Sequence, residues 1–136
     1  MKRRVFIVLV PGLVALGIGV PAWAHHSFAA TYDTTNPVTV HGVITEVLLR
    51  NPHSWFRLEV KDANGKVEQW SFEAGTPSGM IRNGYKPDII KKGAEVTIKG
   101  FHARDASQPR GMLSQLITAD GHVYGMFGPQ EGPGAK

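Results

Sequence analysis

The sequence predicts an all-β fold with one short helix, a small OB-like five-stranded barrel. Three observations carry the prediction. Short runs rich in β-branched and aromatic residues recur between Val38 and Phe127, with polar and apolar positions alternating as half-buried strands require. Asn64-Gly65 separates two of these runs and is the strongest short signal for a tight hairpin. A single helix start, Thr76-Pro77-Ser78, falls between the third and fourth runs, which is where an OB-type chain places its helix. Closing the sheet also removes exposed strand edges. An open β-sandwich is the alternative arrangement.

The elements follow in order. Residues 25–37 form an N-terminal segment that ends at Asn36-Pro37, a turn signal. The first strand, "VTVHGVITEVLL" (Val38 to Leu49), is long and carries Gly42 in its middle, which suggests a bulge or a sharp coil. Asn51-Pro52-His53 breaks it. Trp55 to Lys61 sets Phe56, Leu58 and Val60 on one face and Trp55, Arg57 and Glu59 on the other. Across the Asn64-Gly65 turn, Val67 to Ala74 sets Trp70, Phe72 and Ala74 against Gln69, Ser71 and Glu73. Thr76 caps a helix of about two turns, with Pro77 at its first position and Asn83-Gly84 at its end. "KPDIIKKG" reads as a further helical or 3₁₀ turn stopped by Gly93. Ala94 to His102 and Met112 to Ala119 are the last long strands, followed by a short segment from His122 to Phe127. The barrel domain is thus expected over 38–127, with a disordered Gly/Pro-rich tail over 128–136.

The first 24 residues have a different character. Lys2, Arg3 and Arg4 precede an apolar run from Val5 to Val20, and Ala22-Trp23-Ala24 supplies small residues for a peptidase. Basic, apolar and small in that order is the plan of a secretory signal peptide. The run is shorter than the roughly 20 residues of a spanning helix, so no stable membrane insertion is expected after cleavage. Removal of 1–24 takes three of the fifteen basic residues, leaving twelve against eleven acidic ones and a net charge of +1. That balance argues against nucleic acid, whose binding needs clustered cations. The expected location is the periplasm, or outside the cell. Without cysteines, the fold holds by packing alone, and thiol catalysis and zinc-thiolate sites are excluded.

Four segments, "AHHSFAATYD", "NPHSWFRLEV", "EAGTPSGMIRNGY" and "KKGAEVTIKGF", together resemble DUF6152, a family of small exported bacterial proteins of unknown function. Its members typically have a His-His-Ser-Phe start, an Asn-Pro-His-aromatic turn and a strand after a Lys/Pro-Gly turn. The resemblance covers about residues 24–120. It departs at His102, where relatives tend to have another polar or basic residue, so His102 inherits no family-wide role. The resemblance implies export and a compact domain, and it names no activity.

The histidines offer the most specific chemistry. Cleavage after Ala24 leaves His25 with a free α-amine, whose pKa is about 7.7–8.0. Amine and Nδ1 together chelate one metal, and copper tops the divalent affinity order. His26 is adjacent and cannot easily join the same T-shaped brace. His53, in the turn between the first two strands, is the better third ligand. The bland readings are a His-His pair that merely follows the cut, and an Asn-Pro-His sequence that shapes a turn. His41, mid-strand among apolar neighbours, reads as a satisfied barrel histidine, and His122 as a surface turn residue.

A second surface combines Trp55 and Arg57 with Gln69 and Ser71 on neighbouring strands. It suits a peptide, a glycan or a partner protein, and its bland reading is an ordinary solvent face. Catalysis is not expected. Ser27, Ser54, His53 and Asp62 form no nucleophile elbow, and no carboxylate pair sits in an apolar run. The sequence therefore predicts an exported binding protein, holding copper or another divalent metal through His25, His26 and His53, or alternatively an interaction module on the Trp55/Arg57 face.

Overall fold

The computed structural model describes residues 28–125. The expected signal peptide over 1–24, His25, His26 and the expected disordered tail over 128–136 lie outside the described residues. A short helix α1 (Phe28–Thr31) runs directly into a long strand β1 (Tyr32–Leu48). Strands β2 (Trp55–Lys61) and β3 (Val67–Glu73) form the expected hairpin. Helix α2 (Pro77–Arg82) precedes β4 (Glu95–Ala103), β5 (Arg110–Thr118) and a two-residue strand, β6 (Val123–Tyr124).

The pairing order is β3-β2-β1-β4-β5-β6, and a parallel pairing of β3 with β5 closes the first five strands into a ring of hydrogen bonds. This is the mostly β, OB-like arrangement that the sequence predicts. β1 makes the closure possible because it serves two partners. Its first part pairs with β4 from Tyr32 to Val43, and its last part pairs with β2 from Val43 to Leu48. Inside the ring, Phe56, Leu58, Phe72, Val96, Ile98, Leu113 and Leu116 lose all solvent contact. Each such side chain contributes about 1.5–3 kcal/mol of burial. Helix α2 starts as expected, with the Thr76 hydroxyl accepting from the Gly79 amide at 3.1 Å, and inserts Met80 into this core.

Two local expectations change. β1 begins at Tyr32, so Asn36-Pro37 lies inside a strand and does not end a segment. The pairing is irregular between Tyr32 and Pro37, which accommodates a residue without an amide donor. The Asp33 carboxylate holds this stretch by accepting from the Thr35 amide at 3.0 Å and the Thr35 hydroxyl at 2.6 Å. The bulge in β1 falls between Ile44 and Glu46, not at Gly42. Gly42 is needed for another reason: a Cβ there would sit 2.4 Å from the Glu59 carbonyl oxygen. The single helical or 3₁₀ turn expected in 86–93 is present, with the Lys86 carbonyl accepting from the Ile89 amide at 3.1 Å and from the Ile90 amide at 2.9 Å.

No helix among the described residues is long and apolar enough to cross a membrane.

Candidate functional site

Alternation along the strands sends every second side chain outward, and on one side of the ring the outward positions line up. Trp55 pairs with Glu73, Glu73 with Met112, and Met112 with Phe101, a row across β2, β3, β5 and β4. On a solvated face such a row would be wet. Here the start of β1 folds over it. Tyr32, paired with Ala103, packs with Ala103, Met112 and Phe101 into a second, smaller apolar cluster. α1 is tied down beside it, because the Arg104 amide donates to the Thr31 carbonyl at 3.0 Å and the Arg104 side chain donates to the Ala29 carbonyl.

This cover leaves Glu73 only 8% exposed although it alternates with the core residues Phe72 and Ala74. A buried carboxylate needs partners, and three surround it. The Tyr32 hydroxyl donates to Oε2. His53 Nδ1 is in ion-pair contact with Oε1. The Arg110 guanidinium approaches Oε2 at 3.7 Å. Arg110 also lies over the Trp55 ring, 4.8 Å from its centroid, and 5.9 Å from the Tyr32 centroid. Cation–π contact of this kind holds the guanidinium in place.

The contact between His53 Nδ1 and a carboxylate oxygen is attractive only when Nδ1 carries the proton, which leaves the Nε2 lone pair free in the neutral ring. Among the described residues Nε2 has no partner, and the side chain is 42% exposed. This is the orientation in which a carboxylate presents a metal-ligating histidine. Among the described residues, no group of three or more histidines or carboxylates is placed to hold a metal. A metal at His53 therefore needs ligands from beyond them.

Burial, and then the hydrogen bond to Glu73 and its charge, push the Tyr32 hydroxyl well above the ordinary tyrosine value. Burial raises Tyr85 as well. A folded-state pKa above the unfolded one of about 10 means stability that is intact below pH 10 and lost as pH rises beyond it. Thermal unfolding between pH 9 and pH 11 is expected to show this decline. Tyr32→Phe should flatten it in part, with Tyr85 supplying the remainder. An unchanged alkaline slope in Tyr32→Phe would show that this hydroxyl is not held as described.

The other histidines go elsewhere. His41 points outward and is exposed, with Nε2 at 2.8 Å from Glu95 and Nδ1 at 3.0 Å from Thr97. It is satisfied, as expected, and lies on the outer face of the sheet. His102 packs edge-on against Trp70 at 5.3 Å. His122 is an exposed turn residue beside Tyr124.

Trp55, Arg57, Gln69 and Ser71 do share one face, since Arg57 pairs with Ser71 and Glu59 with Gln69. Their environments diverge, however. Trp55 belongs to the Glu73 cluster, whereas Arg57 is closed onto Glu46 at 2.6 Å. The sequence reads Glu73 only as an outward position on the face of Gln69 and Ser71, and it names neither Tyr32 nor Arg110 as its partner. The hairpin register alone sets Glu73 opposite Trp55, two residues from His53, so one signal was present.

A family model described as a family of unknown function (DUF6152) matches residues 13–112. No curated protein and no solved structure matches.

Proposed function

We propose that this chain, which belongs to DUF6152, is an exported small binding protein that holds copper(II) or another divalent metal through its mature N-terminal histidine. One observation supports this reading above the others. Tyr32, at the root of the N-terminal arm, and His53 meet on the same buried carboxylate, Glu73. The arm therefore enters the fold beside an imidazole whose Nε2 has no partner among the described residues. Residues 28–31 are helical, so only the three residues before Phe28 can extend toward His53, a reach of at most about 11 Å. The His25 amine and Nδ1 would form the chelate, with His53 Nε2 as the third nitrogen and His26 as the lesser candidate. Nitrogen ligands of this kind favour copper. Glu73 would act behind His53, fixing its tautomer and ring orientation.

Copper(II) titration followed by EPR tests the reading. The chain starting at His25, its start established by intact mass, is expected to bind one copper tightly with a nitrogen-rich spectrum. One added N-terminal glycine should abolish that binding. His53→Ala should remove one coupled nitrogen, and Glu73→Gln should weaken affinity about 10–100-fold. Equal weak binding in the native and extended chains would sink the metal reading. The second reading, an interaction module for a peptide, glycan or partner protein on the Trp55/Arg57 face, draws support from the partial exposure of Trp55. Its binding should survive the extension and suffer from Trp55→Ala.

A further inference from the structure

A groove of about 710 Å³ opens between the end of β1, the outer face of β2–β3 and the 85–92 connection. Its volume falls within the range of small-molecule sites, about 300–1,000 Å³. Val47, Tyr85 and Ile90 supply its apolar part. The Tyr85 hydroxyl donates to the Ile90 carbonyl at 3.2 Å, which holds the buried ring in place. Arg57, Lys91, Lys92 and Gln69 supply the polar part, with Glu46 as the one acidic side chain. Glu46 is paired with Arg57 at 2.6 Å. Lys91 and Lys92 are exposed, and their ammonium groups have no partner among the described residues. The groove thus keeps two uncompensated positive charges beside an apolar floor.

We infer that this groove is a second binding site, separate from the Glu73 cluster, for a phosphate ester with a flat apolar body. The two lysines select the head group. Planar, two-pronged carboxylate recognition is the work of arginine, and Arg57 is already paired with Glu46 through a single contact at 2.6 Å. Lysine ammonium groups act as point charges and suit a tetrahedral phosphate. The body of the ester rests on Val47 and on the little of Tyr85 that is exposed, and the Gln69 amide donates to a remaining oxygen. Neither His53 nor the N-terminal arm takes part, so this site stands or falls independently of the metal reading.

The test uses the purified chain and phenyl phosphate, followed by calorimetry and by amide shifts in NMR. Saturable one-to-one binding is expected, with shifts centred on Val47, Gln69 and Tyr85 and with weaker binding of inorganic phosphate. The Lys91→Ala/Lys92→Ala variant, its fold checked by its NMR spectrum, should bind about tenfold or more weakly. Glu46→Gln releases Arg57 and should bind more tightly than the native chain, a gain that a merely structural role for Glu46 would not produce. Absence of saturable binding, or equal affinity in the lysine variant, overturns the site. Vesicles containing phosphatidic acid separate the two sources of a phosphate head. Binding to the vesicles without binding of phenyl phosphate would mean that the lysines serve a lipid surface, and it too would overturn the small-molecule site.

Discussion

Glu73→Ala is expected to lower unfolding free energy by about 3 kcal/mol, read from urea denaturation at neutral pH. The loss comes from what the carboxylate leaves behind. The Tyr32 hydroxyl, inside the second apolar cluster, loses its acceptor. An unsatisfied buried donor costs about 1–3 kcal/mol. Arg110 loses its counter-charge while its Nε is already buried without a partner among the described residues. Removing one member of such a set costs more than the set contributes to stability. Glu73→Gln keeps the shape and one acceptor and should cost less. The Tyr32→Phe/Glu73→Ala double variant should cost clearly less than the sum of the single ones, because both remove the same bond. Strict additivity would mean that the two side chains do not act together, and the site as described would be wrong.

Gly100→Ala is expected to be as damaging, although it adds only a methyl group. A Cβ at this position would lie 1.7 Å from the Met112 carbonyl oxygen and 2.8 Å from its carbon. The obstacle is the backbone of β5, at the register shift between Lys99 and Gly100, so no rotamer change relieves it. Either β4 and β5 separate or the ring is distorted where β5 also meets β3. A loss of about 3 kcal/mol or more follows, with weakened hydrogen-exchange protection along 110–113. Gly125→Ala, where a Cβ meets nothing within 4 Å, should be close to neutral. Equal stability of the two variants would contradict the packing of β4 on β5.

The β2–β3 hairpin was legible residue by residue. Asn64-Gly65 sets the turn, Gly65 adopts a φ of 78° there, and strict alternation then dictates that Phe56, Leu58 and Phe72 go inward. The cap on α2 was equally legible, because Thr76 and Gly79 are three residues apart and the interaction is local. The start of β1 was not. Asn36-Pro37 reads as a turn, but pairing with β4 carries the strand through it. Local preference at one proline is weak against a ladder supplied by a strand more than 60 residues away.

The candidate site divides along the same line. His53 and its neighbour across the hairpin, Glu73, were within reach of register arithmetic. Glu73 nevertheless reads as a solvent-face residue, since it alternates with Phe72 and nothing near it in sequence covers it. Its cover is Tyr32, 41 residues away, and its further partner is Arg110, brought in only when β3 meets β5. By itself, then, the sequence determined the β-rich class, the hairpin, the capped helix and most inward positions, because each rests on contacts between near neighbours or on strand periodicity. The tertiary structure alone decided that an outward-pointing carboxylate would be buried, and that it would hold His53, Tyr32 and Arg110 together. Burial on the outer face of a sheet depends on which distant segment lies over it, and alternation carries no record of that.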